Sequence, residues 1–257
     1  MTEPAYRLIP ATDRASPLLL LCDHASSRLP AAYGTLGLTA ELFESHIAYD
    51  IGAAEVTGAL ARACGAAAVL GAWSRLLVDL NRGADDPTLV MKLSDGSIIP
   101  GNRTLDAAEQ AHRIAAYHVP YHDRVTCEIA RIETEGAVPI LLSMHSFTPV
   151  WKRVPRPWEV GVLWDRDGRL ARPLMARLAE AGFVVGDNEP YAGALEGDCL
   201  YRHGTMRGLP HVLIEMRQDL IAEPEAARAF AGRLKPILGA ALSDMGPATI
   251  QLPPYRR

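Results

Sequence analysis

Short apolar runs alternate along the chain with stretches of helical period, and this alternation limits the fold more than any other feature. The runs at 17–22, 67–70, 76–80, 138–144, 160–164, 183–185 and 211–216 are short enough for buried strands. Between them, 45–64 places Ile47, Ile51, Ala54, Gly58 and Ala61 on one side of a helix. Residues 106–135 keep a helical period that Pro120 should kink or split. Residues 168–181 read as a helix that Gly182 ends, and 224–242 as a closing helix with Ala227, Phe230, Leu234 and Ile237 on one side. Strands alternating with helices imply an α/β fold: a mixed, largely parallel sheet with helices on both faces. The 257 residues are 49% hydrophobic, enough for a substantial core. With no repeat and no Gly/Ser linker, residues 1–257 are expected to form a single domain.

Charge narrows the class of partner. Lys and Arg number 26 against 30 Asp and Glu, a net charge of -4 without a basic block, which argues against nucleic acid or an anionic membrane surface. No apolar run is long enough to span a bilayer. The start, MTEPAYRLIP, does not read as a signal peptide, so a cytoplasmic setting is expected. Cys22, Cys64, Cys127 and Cys199 are scattered with no C-x-x-C pair, so buried reduced thiols are expected rather than a cysteine metal ribbon.

In open α/β sheets, ligands bind beyond the carboxyl ends of the strands. There the chain carries Asp23-His24, Asn81-Arg82, His145-Ser146, Asp187-Asn188-Glu189, and Glu215 with Arg217. No G-x-S-x-G, phosphate loop, dinucleotide fingerprint or H-E-x-x-H is present. His, Asp, Glu, Arg and Asn at one sheet edge suit metal-assisted hydrolysis of an anionic substrate.

Seven segments then carry a resemblance: LLLLCDHASSRLP (18–30), HIAYDIGA (46–53), SRLLVDLNR (74–82), YHVPYH (117–122), LLSMHSFTP (141–149), GDNEPY (186–191) and LIEMRQDL (213–220). Their order and spacing resemble the N-formylglutamate amidohydrolase family, which is similar in turn to the zinc carboxypeptidases. The resemblance implies a zinc-exopeptidase-like fold and cleavage of formylglutamate to formate and glutamate. Asn81-Arg82 resembles the carboxylate-binding Asn-Arg segment, His145 the last zinc histidine, and Glu215 the catalytic glutamate of those peptidases.

One departure matters: the third residue after His24 is Ser27, where an H-x-x-E unit would supply a carboxylate. Asp50 is the candidate replacement and His46 the reserve, since the two are i and i+4 on the expected helix. The expected metal ligands are therefore His24, Asp50 and His145, with zinc as cofactor. Glu215 is the expected catalytic base, because an idle carboxylate in a strand covered on both faces would be costly. Asn81, Arg82, Arg217 and His203 are the expected contacts to a small acidic acyl amino acid, with Arg75 and Arg202 behind them.

Blander readings compete. A loop histidine is usually a satisfied surface residue, a helical Asp usually a solvated or capping group, and Arg217 could form an internal salt bridge. His118 and His122 have metal-compatible spacing but read better as structural hydrogen-bond donors. The stretch 147–158, with Lys152, Arg153 and Arg156, is either a solvent-facing basic loop or a lid. Another acyl amino acid or a short peptide as substrate, or a metal-free binding protein, stays open, and the oligomeric state is not legible. Histidine breakdown is the pathway the family name suggests.

Overall fold

Seven strands make one sheet: β1 (Tyr6–Ile9), β2 (Leu18–Cys22), β3 (Ala67–Gly71), β4 (Ile140–Phe147), β5 (Val160–Leu163), β6 (Val185–Asp187) and β7 (His211–Arg217). The computed structural model describes residues 3–194 and 196–251. The sheet order is β1-β3-β2-β4-β7-β5-β6. Strands β3, β2, β4 and β7 run parallel; β1 is antiparallel to β3, and β5 is antiparallel to β7 and parallel to β6. The helices that bear on the argument are α1 (Ala53–Ala63), α2 (Ala107–Arg113), α3 (Val119–Thr134), α4 (Ala171–Glu180), α5 (Cys199–His203) and α6 (Pro224–Met245).

Side chains alternate across a strand, and the central strands are apolar on both faces. Leu18, Leu20, Met144, Ile214 and Met216 pack beneath α1, α4 and α6. Leu19, Leu21, Leu141 and Leu213 pack beneath Tyr121, Val125 and Ile129 of α3. This is the single α/β domain with a mixed, mostly parallel sheet that the alternation implies. The alternation also fixes direction: His145, two residues after Ser143 on β4, and Glu215, two after Leu213 on β7, emerge on the α3 side at the carboxyl ends.

Several expectations are tested by the helices and loops. The helix expected over 45–64 begins only at Ala53, after Gly52 at φ 79°. Before it the chain turns, and the backbone N–H of Asp50 donates to the carbonyl of His24 at 2.9 Å. The buried side of α1 is Ala53, Val56, Thr57, Gly58, Leu60 and Ala61, which keeps Gly58 and Ala61 of the expected stripe but not Ala54. Residues 76–80 are a buried loop rather than a strand. Its carbonyls find side-chain donors, Asn102 Nδ2 on Leu76 at 2.8 Å and Arg113 on Leu77 at 3.1 Å, which removes the need for a ladder. As expected, the 106–135 helix is interrupted at Pro120: a π-helical segment, Ile114–His118, separates α2 from α3 and absorbs the missing N–H. Strand β1, four residues between prolines, gave no readable pattern.

The stretch after β4 forms a small ribbon, Val150–Trp151 with Val154–Pro155. Behind it Arg156 is buried over the rings of Phe147, Trp151 and Tyr191. All four cysteines are free; Cys22 and Cys199 are buried, whereas Cys127 is exposed on α3, contrary to the expectation of buried thiols. Among the described residues no helix is long and apolar enough to cross a membrane.

Candidate functional site

His24 follows β2, His145 sits near the end of β4, and Asp50 lies in the turn ahead of α1. Asp50 Oδ2 is 2.8 Å from His145 Nδ1 and 3.5 Å from His24 Nδ1, and all three residues are buried. The two imidazoles meet edge to face with centroids 5.0 Å apart. One donor atom from each of the three falls within 4.8 Å of the others.

Each outer ring nitrogen meets a second carboxylate. His24 Nε2 is 2.7 Å from Asp79 Oδ1, and His145 Nε2 is 3.0 Å from the Ser143 hydroxyl and 3.3 Å from Asp23 Oδ2. Those acids are themselves held: Tyr121 donates its hydroxyl to Asp23 Oδ1 at 2.5 Å, and the Asn81 N–H donates to Asp79 Oδ1 at 2.9 Å. Arg75 spans two of the carboxylates, 3.4 Å from Asp50 Oδ1 and 3.0 Å from Asp79 Oδ2. Burial alone would raise the carboxyls, but the neighbouring imidazoles outweigh it and hold Asp50 well below the ordinary range and Asp23 at about 2. In turn, burial works to lower His145, but Asp23 and Asp50 raise it well above its ordinary value.

Glu215 stands beside this group. In the sheet register it pairs with His145 on one side and Gly161 on the other, so its carboxyl shares the face of His145. It is buried, with Oε2 unpartnered. Burial first, and the Asp50 charge next among the raising causes, push its carboxyl up to about 7. The missing side chain of Gly161 makes the room: a Cβ there would lie 3.2 Å from Glu215 Cβ and 2.1 Å from the carbonyl oxygen of Glu189.

A cavity of about 720 Å³ opens over these residues, lined also by Arg75, Asn81, Arg82, Trp164, Arg166 and Tyr191. Arg82 donates to the Asn81 carbonyl at 2.8 Å, and His118 Nε2 meets the Arg82 carbonyl at 2.9 Å, so His118 supports the Asn-Arg segment from behind. Asp198, also on the lining, caps α5 by accepting from the Tyr201 N–H at 2.6 Å, and burial pushes its carboxyl up to about 6.

Of the expected site residues, the structure brings His24, Asp50, His145, Glu215, Asn81 and Arg82 to one cavity. It does not bring Arg217, which pairs with Asp219 at 2.8 Å and donates to the carbonyls of Pro157 and Trp158. Arg217 ends β7, paired with Phe147 and outside the cavity lining, so facing the same way as Glu215 does not mean reaching the same place. His203 is likewise turned away from the cavity, 2.9 Å from His122 Nδ1. His46 sits partly exposed, 3.2 Å from Asp95, because the segment is a turn and the helical i, i+4 geometry does not exist there. Sequence reasoning missed Asp23, Asp79 and Tyr121. A signal was present for Asp79, an acid inside the apolar run LLVDL, the same feature that marks Glu215.

Comparison with known proteins adds the following. In sequence, no curated protein matches. A solved structure of a gene product from Agrobacterium tumefaciens is 39% identical, with a TM-score of 0.87 over 94% of this chain and 96% of its own. The N-formylglutamate amidohydrolase from Ralstonia eutropha JMP134 shares the fold, with a TM-score of 0.69 at 22% identity over 92% of this chain and 96% of its own. The family profile described as N-formylglutamate amidohydrolase matches residues 16–222, which take in every strand from β2 to β7 and every residue gathered at the cavity, and the chain belongs to that family.

Proposed function

We propose that this amidohydrolase is metal-dependent and cleaves the amide of an N-acyl acidic amino acid, with N-formyl-L-glutamate, giving formate and glutamate, as its first substrate. The observation that carries the reading is the pair of imidazoles and one carboxylate converging beside Glu215, each imidazole backed by a further acid. The donor set fits a cation. His24 Nδ1 is buried with no hydrogen-bond partner, and Asp50 is held ionised. An outer acid on each ligating histidine fixes the tautomer and raises the basicity of the inner nitrogen. Two nitrogens and one oxygen from the protein, with a position left over, match catalytic zinc. A zinc ion in such a set supplies Lewis acidity toward an amide oxygen and toward water.

The chain's own groups do the rest. Glu215, with its carboxyl near 7, accepts the proton of the attacking water and then delivers it to the leaving amine nitrogen. Arg82 offers a guanidinium fork to a substrate carboxylate, with Asn81 beside it. Arg166, across the cavity, is a second cation available to a dicarboxylate. Arg75 is engaged by Asp50 and Asp79 and acts to position the ligand carboxylate. A larger acyl group or a short acidic peptide is the second reading, favoured by a cavity of about 720 Å³, toward the upper part of the roughly 300–1,000 Å³ range of ligand pockets. A role in histidine breakdown in the cytoplasm rests on family membership alone.

The test is a panel of formyl and acetyl amino acids and short acidic peptides, assayed with and without chelator beside metal analysis. The expected result is about one zinc ion per chain at this site and formylglutamate cleaved at least roughly 10-fold better than formylmethionine, a difference of about 1.4 kcal/mol in transition-state binding. Activity indifferent to chelator would sink the metal reading, and equal rates on acidic and neutral substrates would sink the carboxylate pocket.

A further inference from the structure

A second cluster of donors lies beside Asp23, and none of its members lines the cavity. Cys199 and His203 are four residues apart on α5 and so share one side of it. His122 reaches them from α3, its ring stacked on that of His203 with centroids 5.2 Å apart. One sulfur and one nitrogen from each histidine lie within 4.8 Å of one another, and all three residues are buried. His122 Nδ1 and His203 Nε2 meet at 2.9 Å, yet His122 Nε2 is left buried with no partner. A buried polar nitrogen without a partner is costly to keep, so this one marks a place where something else is bound. His118 is not part of the set of mutually close donor atoms, and its Nε2 meets the Arg82 carbonyl.

We propose that His122, Cys199 and His203 form a second metal site, built for a borderline or soft divalent cation such as zinc. A thiolate with two imidazoles selects that class over magnesium or calcium, which prefer oxygen. Burial keeps both imidazoles neutral, His122 well below its ordinary value and His203 at about 3, and it pushes the Cys199 thiol well up, so the thiolate forms only as a cation displaces the proton. Binding releases the Cys199 thiol proton to solvent; the sulfur and one nitrogen of each ring donate electron pairs, and nothing is oxidised or reduced. Asp23 connects this cluster to the first one, since its Oδ2 faces His145 Nε2 at 3.3 Å. A cation here therefore places positive charge behind the acid that orients His145.

Cobalt(II) separates the two sites. Thiolate-bound cobalt gives a near-ultraviolet charge-transfer band that nitrogen and oxygen ligands do not, and the His24, Asp50 and His145 group holds no sulfur. Full-length protein produced in cobalt-supplemented medium is expected to carry about two cobalt ions per chain and to show the band. Cys199→Ser should lose the band together with one equivalent. The double variant His24→Ala, His145→Ala should keep the band and lose the other equivalent. The wild-type spectrum requires no variant to fold. One cobalt per chain with no thiolate band, or a band that survives Cys199→Ser, overturns the second site. One cobalt per chain with the band upholds it and counts against the first.

Discussion

Glu215 and Asp198 are both buried carboxyls raised by desolvation, yet they lead to different expectations. Glu215 lies among groups that move protons, so Glu215→Gln should keep fold and metal while kcat falls by roughly 10²–10⁴; steady-state kinetics beside metal analysis checks it. Asp198 caps a helix, and its charge is a burden in the folded state. Its folded pKa of about 6 lies above the ordinary 3.8, so the protonated form favours folding. That contribution is fully present below about pH 4 and is lost as pH rises through 6. Asn keeps the capping oxygen without the charge. Asp198→Asn should therefore raise stability by about 3 kcal/mol at pH 8 and leave it unchanged at pH 4, as read from thermal melts at both values. A gain of equal size at both would point to packing instead. At this scale the sequence exposed the residues that touch the cavity more readily than those behind them. His24, His145 and Glu215 stand out as polar groups at the ends of, or inside, apolar runs. Asp23 looked like a mere neighbour of His24, because nothing local says that it serves His145, 122 positions on. Asp79→Asn should weaken metal affinity by about 10–100-fold, measured by competition with a chromophoric chelator.

At the scale of elements, the parallel strands and the closing helix were readable because their apolar periods are long or flanked by turn residues. Two segments were not, because their polar backbone groups are satisfied by side chains and by bonds to distant segments instead of by a ladder or a helix. Residues 76–80 have the apolar content of a strand, but Asn102 and Arg113 take up two of the carbonyls. The segment before α1 has helical spacing, but Gly52 ends the turn in a left-handed conformation and frees Asp50 to face the histidines. A Cβ at Gly52 would lie 2.2 Å from the Ile221 carbonyl oxygen, at a φ of 79°. Gly52→Ala should cost roughly 2–4 kcal/mol and loosen metal binding with it, because the turn that holds Asp50 must shift. Urea denaturation of the metal-free protein isolates the first effect; an unchanged midpoint would mean that the turn yields freely.

For the whole molecule, the sheet decides which residues meet. Strand β4 pairs with β2 on one side and β7 on the other, so His24, His145 and Glu215 come together only across the finished centre of the sheet. A cation bound only by the folded chain adds about 4 kcal/mol when present at a thousand times its dissociation constant. Chelator should accordingly lower Tm, and His145→Ala should abolish the part of that sensitivity that belongs to the ion held by His24, Asp50 and His145. The long sequence separations also have a consequence in time. Contacts between distant segments form slowly, since the chain must close large loops before they reward it. No two of the ligands His24, Asp50 and His145 are near enough in sequence to hold an ion while the chain is still open. In Cys199→Ser, which leaves only this site, zinc in the refolding buffer should therefore leave the main refolding rate unchanged and act on escape from the native state, slowing unfolding. In stopped-flow experiments the metal would then move one limb of the kinetics and not the other, so that the ion locks a structure it had no part in building.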